Sequence, residues 1–465
     1  MTPNVNPVPL FIFPGQGSQY VGMGSDLYEA YPCAREVYER ASNTLQFDVA
    51  ELSFQGPADR LHQTDCTQVA LLTHSVACLQ VFNELSANAL TPAMTAGHSL
   101  GEYTALVAAG TLSFEDALRL VHTRGRLMAE FGRGQMAAFR LGLELIKPLA
   151  DARYCGIGGC NLPEQTVVCG LEQDLAMLMD DVRQQHGANR SGRLLKTAGA
   201  FHTYLMIGAA ERFRSTLEHI QLHPPTAEVL SNYTGNFHGA DPDMIRAALF
   251  FQMFNPVRWM LGLQRAIGAG ANVVIEFGGG IGRDAPGSTQ LPSSRKPNLE
   301  GITRRSWAGG AHHALYFPAI NLTGIEQAAR QAQIIGAATR SATSATTALP
   351  VNANHAVDAS HLRVLVPARN GMLVSESALE VIALLEQLEL DAFVPVIIED
   401  EAENLAMLNH LSETPVTKAE PYLELIVAGS TCALLYFLGA DIRDELMALR
   451  SRLNRSSAEL ANHQS

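Results

Sequence analysis

The sequence predicts an α/β protein, and three observations predict it. Short apolar runs alternate with helix-forming runs from residue 1 to about 335, as layered α/β architectures require. Of 465 residues 47% are hydrophobic, enough to bury a sizeable core. Gly97-His98-Ser99-Leu100-Gly101 stands between an apolar run and the helix-forming run Leu100 to Ala109. That is the strand–turn–helix junction on which α/β sheets carry a nucleophile.

The elements follow in order. The apolar segment Pro9 to Phe13 runs straight into Phe13-Pro14-Gly15-Gln16-Gly17-Ser18-Gln19, with no positive residue before it. It reads as a first core strand ending in a turn, not as a signal peptide. In the Gly97–Gly101 elbow the glycines let the backbone bend and neighbouring segments approach. The following helix points its free N–H groups at the serine oxygen, and the N–H of Leu100 is placed to hold an oxyanion. The residues alone leave a second reading of Ser99 open, a helix N-cap. Phe114 to Phe131 reads as a helix with Ser113 and Asp116 at its start. Its apolar stripe is Ala117, Leu120, Val121, Met128 and Phe131, and Arg124 falls on that stripe. A guanidinium on a buried face needs an anion. On the residues alone that anion is a substrate carboxylate or a structural partner, and snorkelling also remains open.

From Gly134 to Ala200 the pattern changes. Met136–Leu141, Tyr154–Ile157 and Thr166–Cys169 read as short strands around helices Leu145–Ala152 and Leu171–Gln185. Val273 to Phe277 reads as a strand before the turn Gly278-Gly279-Gly280-Ile281-Gly282. Arg283, Arg295, Lys296, Arg304 and Arg305 make the next stretch the most basic one, a solvated loop or a docking face for an acidic partner. Residues 336–360, rich in Ala, Thr and Ser, read as a linker. Beyond it, strands Leu362–Pro367 and Phe393–Ile398, helix Ser375–Leu388, apolar segments Leu423–Ala428 and Ala433–Phe437, and a closing helix Asp441–Leu460 suffice for a small α/β domain at 361–465.

Charge and cysteine content narrow the function classes. The net charge is −13, which argues against nucleic acid as a partner. From His361 onward sixteen acids and seven bases give −9, so the acidity is concentrated in the tail. No apolar run reaches membrane-spanning length. Seven scattered cysteines without a Cys-x-x-Cys pair predict buried thiols, no metal site and a reducing, cytoplasmic setting.

Five motifs stand in order: Phe13–Gln19, Gly97–Tyr103, Arg124-Gly125, Ala200-Phe201-His202 and Gln252–Trp259. Over the first two-thirds of the chain this set resembles the malonyl-CoA:acyl carrier protein transacylase family. The Ala-Phe-His form and the lack of ketosynthase sequence resemble the free-standing acyltransferases that serve polyketide synthases in trans. The resemblance implies a hydrolase-like large subdomain with a ferredoxin-like small subdomain inserted at about 134–200. It implies Ser99 as nucleophile and His202 as its base. The main-chain carbonyl of Gln252 would orient His202, which leaves the Gln252 side chain inessential. Gln16 and Leu100 would supply the oxyanion N–H groups, and Arg124 would bind the malonyl carboxylate. Phe201 would exclude an α-methyl branch and so favour malonyl. The family often carries His where this chain has Gly199. Asn161 and Gln165 fall in the region that lines the family's cleft, with no role assigned, and His98 reads as a packed elbow residue. Malonyl-CoA and an acyl carrier protein are the implied substrates, for polyketide or fatty acid synthesis, with no cofactor. A hydrolase that clears acyl groups from carrier proteins would use the same dyad but has no use for Arg124. A non-catalytic docking scaffold would have no use for Ser99 and His202.

Overall fold

The structure, a computed structural model, describes residues 6–282, 292–307 and 314–343, and beyond them only five short strands. The chain falls into two compact units, Met1–Pro350 and Val351–Ser465.

The first unit is built on a parallel sheet. Its strands are β1 (Pro9–Phe13), β2 (Met94–Gly97), β7 (Glu228–Val229), β8 (Val273–Phe277) and β9 (Leu315–Ala319), in the order β7-β2-β1-β8-β9. β1 is central, with Leu10 opposite Met94 and Pro9 opposite Val273. Every residue of β1 and β8 is buried, the pattern of strands covered on both faces. Phe11, Phe82 and Phe277 pack edge-on or tilted at 4.9–5.8 Å, tying the long helix Thr64–Ser86 to the sheet.

A separate antiparallel sheet lies between β2 and β7 in sequence. It comprises β3 (Gln135–Phe139), β4 (Gly156–Leu162), β5 (Gln165–Gly170) and β6 (Arg193–Leu194), ordered β4-β5-β3-β6. Helices Leu143–Ala152 and Glu172–His186 cover it, around a core of Phe139, Ile146, Val168, Leu175 and Leu178. A bridge between Gly159 and Val257 joins the antiparallel sheet to the rest of the unit. The strand predicted at Tyr154–Ile157 is displaced. Tyr154 is left-handed at φ 53° and the N–H of Cys155 returns to the carbonyl of Ala150, so these residues close the helix. The strand begins at Gly156 and runs through Gly158 and Gly159, whose low strand propensity hid it.

Helix Leu322–Thr343 continues past the boundary predicted at 335, so the predicted linker is helical as far as Thr343. Arg295 does not belong to a solvated basic face. It is buried, its guanidinium 4.4 Å from the centre of the Tyr20 ring. Arg283 lies outside the described residues. In the second unit Val394–Ile398, Leu423–Ala428 and Cys432–Phe437 form an antiparallel sheet, and Pro367–Ala368 pairs with Met372–Leu373. The helices predicted at Ser375–Leu388 and Asp441–Leu460 lie outside the described residues, as does the strand predicted before Pro367. No helix of the described residues is long and apolar enough to cross a membrane.

Candidate active site

β2 ends at Gly97 and the helix Gly101–Ala108 starts four residues later, so Ser99 caps a sharp turn. The turn is possible only with these glycines. A Cβ on Gly97 would overlap the main chain of Gly101, and one on Gly101 would overlap that of Phe13. Ser99 itself is left-handed, φ 54°, a conformation that costs a non-glycine residue about 1–2 kcal/mol. His202 is also left-handed, φ 62°. Backbone strain at both residues points to a function that holds them there.

The two side chains meet across 103 positions of sequence. Ser99 Oγ is 2.7 Å from His202 Nε2, and His202 Nδ1 is 2.7 Å from the main-chain carbonyl of Gln252. A carbonyl only accepts, so Nδ1–H donates to Gln252 and leaves Nε2 free to accept the Ser99 proton. Burial and then the nearby Arg124 charge push the His202 pKa down to about 3. The imidazole is therefore neutral and competent as a base at neutral pH.

Arg124 lies in the helix Phe114–Phe131, which has the predicted bounds, and Ser113 caps the Asp116 N–H at 3.0 Å. Its side chain is 1% exposed. Nη1 donates to Gln68 Oε1 at 3.0 Å, and Nη2 donates to Gln252 Oε1 at 2.9 Å and to Ser99 Oγ at 3.2 Å. Its charge centre lies 5.5 Å from the Tyr103 ring. No carboxylate of the described residues forms a salt bridge with it. A buried cation held by neutral amides keeps its charge for another anion.

These groups open on one cavity of about 230 Å³, which Gln16, Leu100, Phe201 and Asn161 also line. The Ser99 N–H is taken by Asn232 Oδ1 at 2.6 Å. His98 packs 5.5 Å from Trp259 as predicted, yet it also faces the cavity and donates through Nε2 to Asn161 Oδ1 at 2.9 Å. Gly199 presses on another segment, since a Cβ there would meet Gly132 Cα at 3.0 Å. Asn298 and Leu299 also line the cavity, and their N–H groups are held by the buried carboxylate of Glu276. Burial raises Glu276 to about 7.

The profile of a family described as an acyl transferase domain matches residues 10–278. The chain belongs to the acyl transferase family. Among relatives of this acyl transferase is a malonyl CoA-acyl carrier protein transacylase of Bacillus subtilis, 38% identical over 280 residues, which span 58% of this chain and 86% of that protein. The Escherichia coli K12 protein of the same name is 37% identical over 290 residues, spanning 58% of this chain and 88% of its own. Two solved structures share the fold at TM-score 0.61. One is the malonyl CoA-acyl carrier protein transacylase of Coxiella burnetii, 29% identical, covering 70% of this chain and 98% of that one. The other is a malonyl-transacylase in complex with its type II polyketide synthase acyl carrier protein, 31% identical, covering 70% and 99%.

The Gln252 side chain has contacts that the sequence did not lead one to expect. Beyond the main-chain carbonyl that meets His202, its amide reaches Arg124, the Ser99 carbonyl and Glu102. Gln68, Glu102, Asn232 and His238, which the sequence does not single out, complete the network. Glu102 sits inside the Gly97–Tyr103 motif and carries a charge on an otherwise buried helix, which was a usable signal. Gln68, Asn232 and His238 are isolated polar residues with no local pattern.

Proposed function

We infer that the chain transfers a malonyl group from malonyl-CoA to the phosphopantetheine thiol of an acyl carrier protein, in fatty acid or polyketide synthesis. One observation carries this reading: the buried Arg124, without a carboxylate partner among the described residues, lies 3.2 Å from the Ser99 oxygen beside a neutral His202. This supports a carboxylate clamp next to a nucleophile, as a malonyl thioester requires and a plain acyl group does not.

The mechanism is ping-pong. Ser99 Oγ attacks the thioester carbonyl while its proton passes to His202 Nε2. The N–H groups of Leu100 and Gln16 hold the oxyanion; the Ser99 N–H is already engaged. The C–S bond breaks, and His202 returns the proton to the CoA sulfur. The carrier thiol then gives its proton to His202 and its sulfur attacks the carbonyl of the malonyl-serine ester; the C–O bond breaks, and His202 returns the proton to Ser99 Oγ. Phe201, buried at the cavity wall, favours an unbranched malonyl. The steps need no cofactor or metal.

The strand and helix order β3–helix–β4–β5–helix–β6, with sheet order β4-β5-β3-β6, supports a ferredoxin-like insertion into a hydrolase-like large subdomain. We assign the acidic second unit to a separate C-terminal domain and the protein to the cytoplasm.

Incubation with malonyl-CoA or acetyl-CoA followed by intact mass tests the function. One malonyl increment per chain, lost on adding holo carrier protein, is expected; no adduct with either thioester would overturn the reading. In Arg124→Ala, malonyl loading should fall roughly 10- to 150-fold more than acetyl loading, the worth of about 1.5–3 kcal/mol of charged hydrogen bonding. Equal losses for both would make Arg124 a structural residue.

A further inference from the structure

We propose that the side-chain amide of Gln252, oriented by the buried carboxylate of Glu102, is the positioning group that aims Arg124 at the substrate carboxylate. This rests on the transacylase reading and adds a specificity element to it.

The geometry dictates which way the amide points. Glu102 is fully buried, and three donors reach its oxygens. His238 Nε2 meets Oε1 at 2.7 Å, and the Asn232 N–H and Gln252 Nε2 meet Oε2 at 3.0 and 2.9 Å. Gln252 Nε2 also donates to the Ser99 carbonyl at 2.9 Å. Two acceptors thus face one end of the amide. Neither can donate, so that end must be the NH2 group. The amide oxygen is left pointing at Arg124 Nη2, 2.9 Å away. A flipped amide would set its NH2 against the guanidinium and its oxygen against two acceptors.

The choice of an amide has a reason. A carboxylate at position 252 would also hold Arg124, but it would cancel the charge the substrate needs. An amide carbonyl orients the guanidinium without neutralising it, and Gln68 does the same from the other side. The negative charge is kept one step back, on Glu102. Glu102 also fixes Asn232, which holds both the Ser99 N–H and the Gly97 carbonyl. The elbow and the clamp therefore share one anchor.

The test is single-turnover acylation by malonyl-CoA and acetyl-CoA in full-length Gln252→Met, Glu102→Leu and the double variant. Gln252→Met keeps the main-chain carbonyl that orients His202 and removes only the amide. Its malonyl-to-acetyl ratio should fall at least about ten-fold, the worth of a lost hydrogen bond to a charged group. The loss should appear mainly as weaker malonyl-CoA saturation. Glu102→Leu should lower the ratio in the wild-type background and add nothing in Gln252→Met, because it acts through that amide. A ratio unchanged in Gln252→Met, or equal losses for both thioesters, would overturn the positioning role. Additive effects in the double variant would remove Glu102 as the orienting group. If Glu102→Leu does not fold, with its three donors stranded, Gln252→Met alone decides the role of the amide. A wild-type chain that accepts neither thioester would overturn the transacylase reading itself, and is distinguished by that control.

Discussion

Ser99→Ala should give a folded protein that gains no malonyl mass, with transfer reduced on the order of a million-fold, as loss of a nucleophile costs in comparable hydrolytic dyads and triads. Alanine keeps the Cβ, so the strain at φ 54° is unchanged. The protein loses only two hydrogen bonds to Oγ, from Arg124 and to His202. The first, from a charged donor, is worth about 1.5–3 kcal/mol and the second about 1 kcal/mol, which a domain of this size survives. Intact-mass spectra of the variant and wild type after malonyl-CoA treatment check this. A malonyl adduct on the folded variant would remove Ser99 as the acyl acceptor.

His202→Ala should slow acylation by roughly 100- to 10,000-fold, the usual worth of a general base. The same residue sets the pH profile. Catalysis needs the neutral imidazole, and the His202 pKa is pushed down to about 3 by burial and Arg124. Wild-type acylation should therefore stay level as pH falls through the ordinary histidine value of about 6.5. It should drop only as pH approaches about 3, provided the fold persists. Burst rates across that range decide the matter, and a break near 6.5 would mean that His202 is more solvated or further from Arg124 than the structure has it.

Much of this architecture is legible in the sequence because it is written locally. The bounds of β1, β8 and the Arg124 helix follow from apolar runs and a serine cap. Ser99 is legible because its turn demands glycines on both sides. His202 is not, on the residues alone. It is one of fifteen histidines, and only the motif resemblance selects it. The layer behind the site is less legible still. Asn232 lies 133 positions from the Ser99 N–H it binds, and Gln252 lies 150 from Glu102. Such pairs leave no periodicity, because the fold and not the local chain brings them together. The β4 strand escaped for the opposite reason. Two of its glycines sit where a Cβ would collide, Gly158 with Cys169 and the Phe201 carbonyl and Gly156 with Thr203, at the expense of strand propensity.

The lack of a salt bridge to Arg124 among the described residues also affects how the protein resists heat. A buried cation without a salt bridge is a standing cost, which burial shows by pulling the Arg124 pKa below its usual value, with the Glu102 charge only partly opposing it. Any small dianion that reaches it binds the folded chain and not the unfolded one. Malonate at a hundred times its dissociation constant would add about 2.7 kcal/mol to the unfolding free energy. The melting temperature should therefore climb with malonate and stay flat with acetate, and the climb should vanish in Arg124→Ala. If Arg124 has the proposed clamp role, a group kept without an ion pair makes the enzyme a thermometer of its own ligand: the free energy withheld from the fold is the free energy offered to the acyl group.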